Sequence, residues 1–403
     1  MIGAPAHNWQ EFRLADGWSA VVRREVAQKT TAITQEQLDA ANSAANAACA
    51  AADGVTVNGV PIMNDPRACT WSATSNICGR DGAPAAPLCL DEVQAAGIDR
   101  AWAGPHNSFG KRIWAPYDRG INTGVGTAPA ISTPQVLRYN HFDTNFDVGN
   151  LYADQESIDL AVASGTDVSK AITYENEAVL GSTRTADYID DNDPATLDVA
   201  HQRGVKIMVY HGMQDGAIQF RNDIDFYIRV ASHFAGANEN GSTPDFAQLL
   251  SWYRLFLVPN AGHCPSVPNA MPALINWVEN GTPPDSLVEP AVSQSDGGAP
   301  GGNGSFDAGI GDADASSGGG IIFGGGPTTT IPRLCPFPQK AIYNGGPTDD
   351  ENSYTCGGNL QTAAVICDGL RTVYKHESEN AVQSYGAYNP SVCSNGSGSS
   401  SEN

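Results

Sequence analysis

Two continuous apolar runs dominate the hydrophobic pattern of the chain. The first, "VKIMVYHG", runs from Val205 to Gly212 and is bounded by Gly204 and Gly212. The second, "YRLFLVPN", runs from Tyr253 to Asn260. Neither alternates polar with apolar, so each predicts a strand buried on both faces. Between them, "NDIDFYIRVASHF" places Ile224, Tyr227, Ile228 and Ala231 on one helical face. After them, "NAMPALINWVENG" predicts a helix that stops at Gly281. Strand, helix, strand, helix implies parallel strands in an α/β sheet. Ligands of such sheets bind beyond the carboxyl ends of the strands, and Asp215 and His263 stand at that place on the two runs.

The rest of the pattern is weaker. Residues 1–20 open on a short apolar segment and "GAPAHNW", and residues 21–200 read as loop-rich. Within them, "TQEQLDAANSAANAACAA" predicts a helix. Thr34 and Gln37 form a capping box, and Leu38, Ala41, Ala45 and Ala48 share a face. Residues 201–290 carry the strand–helix pattern. Residues 291–331 are low in complexity and read as a Gly/Ser/Asp-rich linker. Asp307, Asp312 and Asp314 within it form no sustained calcium-binding repeat. Residues 332–403 hold four more cysteines and end in a Ser/Gly/Asn tail.

Charge and cysteine content narrow the function classes. The formal net charge is -22 over 403 residues. Such a chain offers no basic surface for nucleic acid or an anionic membrane, and no run of apolar residues is long enough to span a bilayer. The nine cysteines stand at 49, 69, 78, 89, 264, 335, 356, 367 and 393. None makes a CxxC or zinc-spaced cluster, so they predict disulfides and a secreted or periplasmic location. The opening "MIGAPAHNWQ" has no signal-peptide pattern. Export by another route or loss of the beginning of the chain would reconcile the two.

Acyl transfer needs a nucleophile, a base and a carboxylate that orients the base. In α/β-hydrolases these come in the order Ser, Asp, His. Asp215 after the first buried strand and His263 after the second fit the last two places. Neighbouring parallel strands lie about 4.8 Å apart, so one loop can reach the other.

These segments resemble the tannase and feruloyl esterase family. "VKIMVYHGMQDGAI" is similar to its strand ending YHGxxD, "YRLFLVPNAGHCP" to its PGMGHC, and "INWVENGTPPDSLV" to its WVExGxAPD helix. "GAPAHNW", the lid-like "LDEVQAAGIDRAWAGPHNSFGKRIW" and "LCPFPQKAIYNGGPTDDENSYTC" continue the match in family order. The resemblance implies an α/β-hydrolase core, incomplete at its N-terminus, with a large disulfide-bearing lid domain. It implies hydrolysis of small aromatic esters such as gallates or ferulates, with Asp215 orienting and His263 acting as base and acid.

It also implies the bridges Cys49–Cys69, Cys78–Cys89 and Cys335–Cys356, which leaves Cys367 and Cys393 for each other. In the family, the cysteine after the histidine is bridged to one just before the nucleophilic serine. Cys264 is therefore expected to be unpaired here, with its partner upstream of Met1. The family lid often holds calcium through CDxxDGxxDGxI. Here the text is "CAAADGVTVNGV": Asp53 and the Val55 carbonyl remain, Ala50 replaces one Asp, and Asn58 approximates another. Calcium affinity is expected to be strongly weakened, and no other cofactor is required.

The family serine belongs to a GCSxGG segment before GAPAxNW, and neither that segment nor GxSxG occurs in the 403 residues. Ser108 and Lys111 fit SxxK but fall inside the lid segment, where the spacing reads as coincidence. The expectation is therefore a truncated reading of a longer gene, inactive alone. The competing expectation is a non-catalytic pseudo-esterase or an extracellular binder of phenolic ligands. The aromatic residues Trp102, Trp114, Tyr139, Phe142 and Phe146 are candidate pocket walls. Oligomeric state is not legible in the sequence.

Overall fold

The two apolar runs form adjacent parallel strands of a small sheet. The structure is a computed structural model that describes residues 1–7, 9–105, 117–121, 137–138, 140–184, 193–216, 218–235, 246–262, 265, 267–289, 292–293 and 328–359. In chain order the described strands are β1 (Ile2–Gly3), β2 (Gly54–Val57), β3 (Val60–Met63), β4 (Leu151–Tyr152), β5 (Ile172–Thr173), β6 (Ile207–Gly212), β7 (Tyr253–Val258), β8 (Leu287–Val288), β9 (Val292–Ser293), β10 (Thr328–Thr329), β11 (Arg333–Leu334), β12 (Gln339–Tyr343) and β13 (Tyr354–Asn359). The longer helices are α1 (Trp9–Lys29), α2 (Gln35–Asp53), α3 (Glu92–Ala103), α4 (Gln155–Ala163), α5 (Tyr174–Arg184), α6 (Phe220–Ala235) and α7 (Ala270–Asn280).

The central sheet has the order β1-β6-β7, all parallel, with Ile207 opposite Tyr253 and Gly212 opposite Val258. Side chains alternate across the pleat. Val209, Leu255 and Leu257 pack with Phe220, Ile224, Tyr227 and Ile228 of α6. Met208, Phe256 and Val258 pack on the other side with Ala270 and Trp277 of α7. Both faces are thus covered, which is why the runs are continuously apolar. Helix α7 ends at Gly281, whose φ of 69° is left-handed and whose N–H donates to the Trp277 carbonyl.

A helical layer lies between β1 and β6 in the chain. Leu14, Trp18, Val21, Val22 and Val26 of α1 meet Leu38, Ala41 and Ala45 of α2 and Ile98, Ala101 and Trp102 of α3. Both α2 and α3 start with capping boxes, Thr34 with Gln37 and Asp91 with Gln94. Helix α1 runs unbroken across residue 20, so the domain boundary drawn there from the sequence falls inside one element.

The segment after the Gly-rich stretch folds back onto β8, β9, the β2–β3 hairpin and the central sheet. Strand β11 pairs antiparallel with β8, and β10 with β9, so the two ends of the stretch lie side by side. Residues 294–327 between them lie outside the described residues. The β12–β13 hairpin closes a core with β2–β3 through Val55, Val57, Ile62, Ala341 and Tyr354. Phe337 joins the α6 side of the sheet, and its N–H donates to the Leu255 carbonyl at 2.7 Å. Ile331 is 1% exposed, so the end of the predicted linker is core.

Disulfides join Cys49–Cys69, Cys78–Cys89 and Cys335–Cys356. Each closes a short loop and contributes about 2–4 kcal/mol by restricting the unfolded chain. Cys264, Cys367 and Cys393 lie outside the described residues. No helix among the described residues is long and apolar enough to cross a membrane.

Candidate active site

The carboxyl ends of β6 and β7 are stitched together. The Met213 N–H donates to the Val258 carbonyl at 2.9 Å, and the Gln214 N–H to the Ala261 carbonyl at 2.8 Å. Gly212 sits where the second loop crosses the first. A Cβ there would lie 2.0 Å from the Gly262 carbonyl oxygen and 2.3 Å from that of Ala261. Only glycine permits this approach, which brings the residue before His263 into contact with the strand that leads to Asp215. The second loop is also held from outside. Asn260 donates to the Thr329 carbonyl at 2.8 Å, and Thr330 donates to the Pro259 carbonyl at 2.7 Å. His263 itself lies outside the described residues.

Asp215 is fully buried, at 0% exposure. Its Oδ1 accepts the Ile218 N–H at 2.9 Å, and its Oδ2 lies 3.0 Å from His211 Nε2. The same Nε2 is 3.0 Å from the Ile218 carbonyl, and His211 Nδ1 is 2.7 Å from Asp223 Oδ2. Burial alone would lower the His211 pKa. The charge of Asp223 and the hydrogen bonds to Asp215 and Asp223 outweigh it and push the value up to about 10. Two residues before Asp223, Arg221 forms a buried bidentate pair with Asp118, which ties the helical layer to α6.

Sequence reasoning named Asp215 and His263 and did not name His211 or Asp223. The signal was present: a histidine inside a strand buried on both faces must satisfy two ring nitrogens. Aspartates stand four and twelve residues after it.

The aromatic candidates separate. Trp102 is 2% exposed and packs edge-on with Trp71 in the helical core. Phe146 is 4% exposed and stacks on His141 at 3.6 Å between centroids. Both are core residues. Phe142 is 84% exposed, with Arg184 over its ring. Trp114, Tyr139, Ser108 and Lys111 lie outside the described residues.

The residues matched to the calcium loop do not fit the ion. Calcium takes six to eight oxygens. Both oxygens of Asp53 instead accept from the Lys340 ammonium, at 2.7 and 2.8 Å. Val55 is a strand residue opposite Ile62. Asn58 and Gly59, with φ of 50° and 82°, form the two-residue turn of the β2–β3 hairpin. Among the described residues no group of three or more His, Cys, Asp or Glu could hold a metal.

Several known proteins are similar to this chain. Mono(2-hydroxyethyl) terephthalate hydrolase of Piscinibacter sakaiensis is 25% identical over 293 residues, covering 66% of this chain and 42% of that protein. A probable feruloyl esterase of Arthroderma benhamiae is 24% identical, covering 88% of this chain and 58% of its own length. The chain therefore spans about half the length of these curated relatives. Among solved structures, feruloyl esterase B from Aspergillus oryzae superposes with a TM-score of 0.58 at 19% identity, covering 88% of this chain and 63% of that one. Tannin acyl hydrolase from Aspergillus niger superposes with a TM-score of 0.59 at 19% identity, covering 93% and 61%. These likenesses show an α/β-hydrolase fold. The family profile described as tannase and feruloyl esterase matches residues 1–357, and the chain belongs to that family.

Proposed function

We propose that the chain is the acid–base and lid portion of a carboxylic ester hydrolase that acts on small esters of aromatic acids. Asp215 orients His263. His263 takes the proton of a serine hydroxyl as it attacks the ester carbonyl, and returns it to the leaving alkoxide. Water then releases the acid by the same route in reverse. The serine is supplied from outside these 403 residues, which contain neither GCSxGG nor GxSxG. The three disulfides support an extracellular or periplasmic setting.

The observation that carries the proposal is the stitching of the β6 and β7 loops through Gly212, Met213 and Gln214. It holds a buried, doubly anchored carboxylate beside Ala261 and Gly262, which His263 follows in sequence. The missing serine motif favours a second reading, a phenolic-ligand binder without turnover.

The test uses the 403-residue chain and a product of the same gene extended upstream. The chain alone is expected to leave methyl ferulate and methyl gallate intact. The extended product is expected to carry a GCSxGG segment, cleave one of these esters, and lose about 10⁴-fold in kcat on Asp215→Asn. An extended product that carries the serine yet cleaves neither ester, or is indifferent to Asp215→Asn, removes the hydrolase reading.

A further inference from the structure

His211 has no part in the three-residue chemistry above, yet both nitrogens of its ring are held by oxygens. Its ring is 0% exposed. The hydrogen-bond partners of its two nitrogens are all oxygens: Asp223 Oδ2 at 2.7 Å from Nδ1, and Asp215 Oδ2 and the Ile218 carbonyl at 3.0 Å from Nε2. Carboxylates and carbonyls only accept. A neutral imidazole carries one N–H and one lone pair. Either tautomer would therefore aim a lone pair at an oxygen, in a site closed to solvent. Only the doubly protonated ring satisfies both sides.

The charge count leads to a role. Asp215 and Asp223 bring two negative charges into a fully buried space. Asp223 Oδ1 is buried without a hydrogen-bond partner among the described residues, so His211 carries its neutralisation. Arg221, nearby in sequence, forms the pair with Asp118. Tyr253 on β7 faces the same charge, and burial and Asp223 together keep its phenol protonated. One imidazolium against two carboxylates leaves a single net negative charge.

We propose that His211 is a permanent imidazolium that positions Asp215, fixing its Oδ2 and cancelling Asp223 so that Asp215 stays ionised. This rests on Asp215 and His263 being the orienting acid and the base. His211 is thus a positioning residue whose charge, more than its shape, matters.

The experiment is nitrogen-15 NMR of the full chain with labelled histidine. His211 is expected to show two protonated ring nitrogens from about pH 6 to about pH 9, well above an ordinary histidine. His211→Gln leaves two buried carboxylates sharing a proton, and the His263 midpoint should fall by about one pH unit or more. His211→Gln with Asp223→Asn restores the net charge, and the midpoint should recover. A merely structural role predicts that the double variant is the worse of the two. A neutral tautomer at His211 near pH 7.5 overturns the proposal, as does a double variant without recovery. If His211→Gln does not fold, the wild-type spectrum still decides the charge state. An imidazolium at His211 in a protein whose extended form cleaves no ester supports the charge assignment and removes the hydrolase reading alone.

Discussion

Among the regions of this molecule that set a nitrogen cation against a carboxylate, two contrast mainly in burial. At the end of β6, His211 lies between Asp215 and Asp223 with all three side chains at 2% exposure or less. At the β2–β3 hairpin, Lys340 meets Asp53 with side chains 26% and 40% exposed. In the first region water cannot replace a lost partner, so each charge must find its partner within the protein. In the second, solvent stabilises either charge alone, and the pair is worth about 0–1 kcal/mol. The same chemistry locks the end of β6 to α6 in one place and pins the end of α2 loosely to β12 in the other.

The largest expected effect breaks the buried region. Asp223→Ala leaves the His211 cation short of a partner and should cost about 3–5 kcal/mol in urea-unfolding free energy. A cost under about 1 kcal/mol would mean the cluster is not charge-locked. Gly212→Ala should come next. Its Cβ meets the backbone of Ala261 and Gly262 rather than a side chain that can turn away. Forcing the loops apart should cost about 1–3 kcal/mol and shift amide NMR signals in both loops.

Glu289 lies between the two regions in burial and reports through pH. Its carboxylate accepts the Asn269 N–H at the start of α7, but burial dominates and pushes its pKa up to about 7. The folded state therefore holds this proton more tightly than the unfolded chain. The associated stability is fully present below pH 4.5 and is lost as pH rises through about 7. Glu289→Gln should flatten the fall in Tm over that window. A variant whose Tm falls in parallel with wild type would contradict it.

The smallest effect belongs to the exposed pair. Lys340→Ala should cost about 1 kcal/mol or less, and chelator or added calcium should leave the Tm of wild type unchanged. A clear rise of Tm with calcium would show that the ammonium does not stand where the ion would.

What was legible in the sequence follows the range of the interactions. The runs around β6 and β7 announced themselves because both sheet faces are covered, and the start of α2 because a capping box is a local exchange between Thr34 and Gln37. Helix α1 was passed over, although Leu14, Trp18, Val21, Val22 and Val26 keep helical spacing, because Gly17 and a boundary at residue 20 interrupt the eye. The docking of β12–β13 on β2–β3, like the Asp53–Lys340 pair across 287 positions, leaves no local pattern. At the site, Asp215 followed from strand position, whereas His211 needed its three oxygen partners to be seen together.

The central claim is that Asp215 and His263 form an acid–base pair at the stitched ends of β6 and β7. It is tested most directly by titrating His263 by NMR in wild type and in Asp215→Asn. A carboxylate beside the imidazole raises its pKa by about 1–3 units, so the midpoint should drop by that amount in the variant. Equal midpoints in the two proteins would contradict the pairing.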